Sequence, residues 1–352
     1  MFKSHAFLFI FIGVFGLLGG IAARFSNEFS FAFQNSLSSS LQANILSIER
    51  QSNEIKDRLA AENPTSLIFV GDIMLGRDVE KSINKKEGDW NFIFSKSADF
   101  LQTADLVFGN LEGPISSHGK NQGSIYSFRF NPLVAPALKS AGFNVISLAN
   151  NHILDWGGEA LADTISILKE NSINSVGAGL NREKANSPVI KKINGTEVAF
   201  FAFTNLYPEG LEASQNNPGV SSFDLEKIKE EIKNLKQSGR ADIVIISLHW
   251  GEEYKKEAND FQKQIARSLV NSGTDILIGH HPHVVEEVEK YGNSWIAYSL
   301  GNFVFDQDFS KETMEGLALK VTIKNKKIIN AETLKVKINN DFQPEIFIPA
   351  YQ

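Results

Sequence analysis

Five short apolar runs in this chain each lead into residues that can ligate a metal ion. LIFVG (67–71) runs into Asp72, DLVFG (105–109) into Asn110 and Glu112, and NVISLA (144–149) into Asn151 and His152. DIVIISL (242–248) runs into His249, and DILIG (275–279) into His281 and His283. Runs of this length, bounded by turn residues, read as buried strands. Between several of them lie amphipathic stretches, including 158–170, 225–237 and 261–271, that read as helices. Strands alternating with helices predict an α/β domain with helices on both faces. Ligands in such folds gather at the carboxyl ends of strands, so dispersed motifs can converge on one site.

Further strands are expected at 173–177, 197–203 and 295–301. Asn194-Gly195 marks a hairpin with 189–192, and 317–338 reads as two strands turning at 325–327. The texture before residue 66 is different. Residues 25–63 are rich in Ser, Asn and Gln, yet Leu41, Ile45, Ile48, Ile55 and Leu59 fall at spacings of four and three, with Ser52 filling the gap. That pattern fits a stalk or dimerising helix, a helix packed on its own domain, or a loosely ordered spacer. Ala6 to Ala23 is uncharged and lies between Lys3 and Arg24. Its length is near the short end of a membrane span, so a signal-anchor is expected, with a cleaved signal peptide as the alternative. Lys3 inside would place the rest on the extracytoplasmic side of the cell membrane, single-pass or secreted if cleaved. The expected organisation is therefore 1–24 anchor or signal peptide, 25–64 linker, 65–340 domain and 341–352 tail.

Composition removes several function classes. The net charge is -6, leaving no basic surplus to neutralise phosphates, so nucleic acid is not an expected partner. The chain has no cysteine, which excludes disulfides, thiolate metal sites and cysteine nucleophiles. Histidine is distributed unevenly. Five of the seven histidines sit in LANNHILDWG (148–157), SLHWGEEY (247–254) and IGHHPHVVE (278–286). Acid, acid, Asn-His, His, His-x-His is a donor set for one or two divalent ions. Imidazole, carboxylate and amide donors suit Mn, Fe or Zn.

The order GD, GN-L-E, N-N-H, H-W-G, H-P-H resembles the calcineurin-like metallophosphoesterase superfamily. GDIMLGR, NLEGPIS, LANNHILDWG, HWGEEY, GHHPHVVE and SLGNFVFDQ resemble one branch more closely, the CapA or PGA_cap family of capsule synthesis proteins, from Leu67 to at least Leu319. The resemblance implies a four-layer α/β/β/α sandwich. It also implies a role in making or handling an extracellular polymer such as poly-γ-glutamate. It gives Asp72 and His283 to a first metal, a bridging carboxylate to the GNLE segment, and Asn151, His249 and His281 to a second metal. His152 falls where the superfamily places a histidine beside the substrate phosphoryl group as acid or charge stabiliser.

The chain departs from that pattern at two positions. Met74 stands where the superfamily's first motif has histidine, and methionine is a poor ligand for hard divalent metals. Asn110 stands where a bridging Asp is usual. Glu112 lies two residues on, on the same side of an extended segment, and is the expected bridge. His280 has no counterpart and reads as a neighbour. Arg77 and Arg129 are candidates for holding an anionic group, because guanidinium forks match carboxylate and phosphate. Asn302 is a candidate substrate contact or part of a packed loop. Asp155 and Trp156 read as turn-shaping, and Trp250, Glu252 and Glu253 as lining the cleft or facing solvent. His118 reads as an exposed loop residue. Two functions follow: a metal-dependent hydrolase in exopolymer synthesis, or a non-catalytic membrane-tethered scaffold that binds the anionic polymer or its synthase.

Overall fold

The structure, a computed structural model, describes residues 39–207 and 210–348, with side chains from residue 43 onward. The expected membrane segment 6–23 lies outside the described residues. Among these no helix is long and apolar enough to cross a membrane. The heptad region forms helix α1 (Ser39–Ala61), on which Ile45, Ile48, Ile55 and Leu59 are exposed. Contacts divide the chain into two units, before and after Asp57/Arg58. Both sheets described next belong to the second.

The larger sheet is mixed. Four parallel strands, β1 (Thr65–Ile73), β2 (Leu106–Leu111), β3 (Phe143–Ser147) and β4 (Asn174–Val176), follow one another in space. A two-stranded ribbon separate from the main sheets joins β5 (Ala178–Gly179) to β8 (Gly219–Val220), with the short α6 (Arg182–Asn186) after β5. The second sheet, in the order β11-β12-β10-β9-β7-β6, uses β6 (Val189–Ile193), β7 (Thr196–Thr204), β9 (Ile243–His249), β10 (Ile276–His280), β11 (Val288–Tyr291) and β12 (Ser294–Ala297). The first sheet is completed by β13 (Asn302–Val304), β14 (Glu315–Lys324), β15 (Lys327–Ile338) and β16 (Pro344–Phe347).

Strand alternation explains how these layers stack. Successive side chains point to opposite faces, so Leu67 and Phe69 of β1 face one way and Ile68 and Val70 the other. Leu67, Phe69, Phe108 and Val145 meet Phe200, Ile245 and Ile278 of the second sheet in one buried cluster. Ile68, Val70 and Ile146 instead pack under α2 (Arg77–Asn84), α3 (Ala98–Leu101), α4 (Val134–Ala141) and α5 (Gly157–Glu170). Phe201, Ile246 and Leu277 pack under α7 (Leu225–Gln237) and α8 (Asp260–Asn271). The layers are therefore helix, sheet, sheet, helix. In α7, Ile228, Ile232 and Leu235 repeat at helical spacing and are buried. In α8 a reciprocal capping box between Asn259 and Gln262 fixes the start.

Two expectations need correction. The run 295–301 is a strand only to Ala297. Beyond it the backbone leaves the sheet and presses on two glycines: a Cβ at Gly279 would lie 1.7 Å from the Tyr298 carbonyl oxygen, and one at Gly71 1.9 Å from that of Gly301. Residues 341–352, expected as a tail, supply β16, which pairs antiparallel with β15. The Gln343 amide also donates to the Phe92 carbonyl at 2.7 Å. A four-residue edge strand is too short to show alternation in the sequence.

Candidate metal centre

Strand register carries the motifs together. Asp72 pairs level with Asn110 on β2 and with Asn302 on β13, and Asn110 with Ser147 on β3. Across the sandwich, His249 pairs level with His280 and with Thr204. All these strands are parallel, so both rows lie at carboxyl ends, except that Asn302 opens β13. The loops after β3 and β10 bring Asn151, His152, His281 and His283 to the same edge.

Asp72 is fully buried and at the centre of the group. Its Oδ1 accepts from Asn110 Nδ2 at 2.8 Å, and its Oδ2 accepts from the His281 backbone N–H at 3.1 Å. His280 Nδ1 lies 3.1 Å from Oδ1 without the alignment of a hydrogen bond, and His283 Nδ1 lies 3.6 Å from Oδ2. Burial pushes the Asp72 carboxyl up, but His280, His283 and Asn110 together outweigh it and hold it below its ordinary value. His280 is thus inside the cluster, beneath Asp72. Asn110, expected among the ligands, turns its amide nitrogen to Asp72 and, at 3.3 Å, to His249 Nδ1; its oxygen accepts from Asn150 Nδ2 at 3.2 Å. In that orientation it aligns two candidate ligands and offers no oxygen of its own.

Glu112 is the strongest sign that the site takes a cation. It is fully buried, and neither carboxylate oxygen has a hydrogen-bond partner. The nearest imidazole nitrogens are His283 Nε2 at 3.6 Å and His152 Nε2 at 4.0 Å. Burial, followed by the charges of Asp72, Glu253 and Asp155, pushes its carboxyl well above the usual range. A buried carboxylate so placed costs several kcal/mol unless a positive charge meets it. One ligand atom each from Asp72, Glu112 and His249 lie within 4.8 Å of one another, as do ligand atoms of Glu253, His281 and His283. These two groupings divide the ligands differently from the scheme that the resemblance implies.

The histidines are held in the form that binds cations. Burial, then the neighbouring imidazoles, pushes His249 well below its ordinary value; burial and His283 push His281 to about 3 against the pull of Asp72; burial also lowers His283. Neutral imidazole is the ligating form. His283 Nδ1 donates to Asn302 Oδ1 at 3.0 Å, which leaves Nε2 facing Glu112. Asn302 spends its amide nitrogen on Gln307 and the Thr313 carbonyl, so its buried side chain is engaged in holding His283. His249 Nε2 and Asn151 Oδ1 lie 2.9 Å apart, within hydrogen-bond reach of each other. Met74 is buried, and its sulfur accepts the Gly76 N–H at 3.2 Å.

His152 stands at the opening. Its Nδ1 donates to Asp155 Oδ2 at 2.8 Å, and Asp155 also accepts from Ser124 Oγ and the Phe128 N–H, each at 2.9 Å. Asp155 therefore fixes the tautomer and direction of His152, a role missed in the sequence. The signal was there: a carboxylate three residues after a histidine in a turn. Arg77 Nε pairs with Asp306 at 3.1 Å, and its guanidinium lies 5.5 Å from the centre of the Phe128 ring, which is 4.2 Å from that of His152. Arg129 stacks on Trp156 at 3.6 Å. Arg77 is thus one aromatic ring away from His152. His118 is exposed and bonds Asp163 at 2.8 Å, away from the cluster.

The fold and the site together define an α/β protein with a buried histidine–carboxylate centre at its strand ends. Over residues 66–307 the sequence matches the family described as bacterial capsule synthesis protein PGA_cap, and the chain belongs to that family. It is 37% identical to the PGA biosynthesis protein CapA of Bacillus subtilis (strain 168) over 259 residues, 73% of this chain and 67% of the relative. It is 36% identical to the capsule biosynthesis protein CapA of Bacillus anthracis over 253 residues, which are 70% of this chain but only 61% of that relative's length. Among solved structures, a phosphatase from Mycoplasma pneumoniae aligns over 78% of this chain and 94% of its own, with TM-score 0.49 and 15% identity; at that score the likeness carries no argument.

Proposed function

We propose that the protein acts in synthesis of an extracellular anionic polymer of the poly-γ-glutamate type, as a metal-dependent hydrolase on a metallophosphoesterase-type sandwich. The single observation that carries the metal reading is Glu112, a fully buried carboxylate with both oxygens unpaired, 3.6 Å from His283 Nε2. Asp72, Glu112, Asn151, His249, His281 and His283 fit a divalent ion of the Mn, Fe or Zn kind in donor chemistry. Such an ion supplies charge neutralisation and Lewis acidity at the reacting bond. The protein's own contributions are separable from it. His152 is held by Asp155 with Nε2 toward the cluster, placed to give or take a proton at a substrate oxygen. Arg77, one ring from that histidine, suits an anionic substrate, and Arg129 is a second candidate of the same chemistry. Residues 6–23 are proposed to tether the domain outside the cytoplasmic membrane, where polymer or synthase subunits would meet it.

The test uses the full-length chain in detergent. Metal content is measured, and turnover is followed on a chromogenic phosphoester and on a γ-linked glutamyl amide, with EDTA and with Mn(II). Mn(II)-dependent turnover lost in His152→Ala supports the proposal. Bound metal without turnover on either substrate would sink the hydrolase and leave the scaffold.

A further inference from the structure

We propose that Glu253 is a metal ligand, closing with His281 and His283 a second cation position at the mouth of the buried one formed by Asp72, Glu112 and His249. This rests on the reading of the site as a metal centre. Sequence left Glu253 as a cleft-lining or solvent-facing residue, indistinguishable from Glu252 beside it.

Three observations separate the two. A carboxylate oxygen of Glu253 and one ring nitrogen each of His281 and His283 lie within 4.8 Å of one another, the spacing of donors around one ion. His281 is 8% exposed, and its buried Nδ1 has no hydrogen-bond partner, so that nitrogen is free to take a ligand. Finally, the loop that carries Glu253 is tied to the histidine segment. The Tyr254 N–H donates to the Pro282 carbonyl at 2.8 Å, between the two histidines. Tyr254, His281 and His283 all adopt positive φ, at 63°, 98° and 57°. Such conformations are strained for non-glycine residues and persist where the surroundings over-determine them, commonly at ligand clamps. The strain turns one carboxylate and two imidazoles toward a common point.

The two positions differ in character. Asp72, Glu112 and His249 are all buried, whereas Glu253 is exposed. The outer ion would exchange readily with solvent and be the first removed by a chelator. One carboxylate and two neutral imidazoles also leave a divalent ion with residual positive charge, suited to meeting an anionic group.

The experiment is a calorimetric titration of the full-length, EDTA-treated chain with Mn(II), with electron paramagnetic resonance of the loaded protein. Wild type and Glu252→Gln are expected to take two Mn(II) per chain, and Glu253→Gln to bind its second at least tenfold more weakly. Because Glu253 is exposed and Gln is isosteric, the variant keeps its fold, which circular dichroism checks. Two ions of unchanged affinity in Glu253→Gln, or a single ion in both proteins, overturns the assignment and leaves the buried position standing. No Mn(II) bound by wild type overturns the metal centre itself.

Discussion

Replacing Glu112 by Gln separates a metal ligand from a structural residue through the sign of its effect. In the metal-free protein Glu112 is a fully buried charge without a hydrogen-bond donor. Taking such an ion out of water costs several kcal/mol, whereas an unpaired buried amide costs about 1–3 kcal/mol. Glu112→Gln is therefore expected to leave the EDTA-treated protein within about 1 kcal/mol of wild type at neutral pH, or to stabilise it, although most buried polar substitutions destabilise. The pH dependence follows from the raised carboxyl. A group whose folded value exceeds its unfolded one contributes stability below the unfolded value, about 4.5, and loses it as pH rises toward the folded value. Wild type should lose up to ~1.4 kcal/mol per pH unit relative to Glu112→Gln in that window. Adding Mn(II) at about 100 times Kd should stabilise wild type by ~2.7 kcal/mol, roughly 5–10 °C in Tm, and stabilise the variant less, through the outer position alone. Scanning calorimetry with EDTA and with Mn(II), from pH 5 to 8, measures all three quantities. A metal-free loss above about 2 kcal/mol in the variant, or an undiminished Mn(II) shift, would refute the reasoning.

Other expectations follow from the same geometry. Asp155→Ala removes the acceptor of three hydrogen bonds at 2.8–2.9 Å and should cost about 3 kcal/mol in urea unfolding; Asp155→Asn should fold and reduce turnover by about 10²–10⁴ while metal content stays unchanged, and loss of metal would contradict the assigned role. Histidines held neutral contribute stability present above the unfolded value near 6.5 and lost as pH falls, so the metal-free protein should weaken by up to ~1.4 kcal/mol per unit for His281. A slope in His281→Gln as steep as in wild type would contradict this. Gly71→Ala, whose Cβ would sit 1.9 Å from the Gly301 carbonyl oxygen, should cost about 3 kcal/mol or more by thermal melting; a Tm unchanged from wild type would contradict the close approach of Gly301 to β1. Deleting residues 1–24 should release the chain from the membrane fraction; an unchanged distribution would remove the proposed tether.

The amino-acid sequence by itself determined the strands and most of the donor set. Apolar runs that end in Asp72, His249 and His281 need only the periodicity of strands and the rule that α/β ligands collect at carboxyl ends, and both are local or topological. Tertiary structure decided what each side chain does there. Asn110 became an aligner because the β1–β2 register sets its amide beside Asp72, a long-range pairing that no spacing encodes. Asn302 became the partner of His283 because β13 docks parallel to β1. His280 lies in the cluster because β10 alternation points it between the sheets, under Asp72. Glu253 and Glu252 are chemically equal in sequence; only the folded loop, tied to Pro282 through Tyr254, brings the Glu253 carboxylate within 4.8 Å of His281 and His283. Residue type and order are fixed by the chain, but the direction of a side chain at a loop tip depends on contacts made by residues far apart in it.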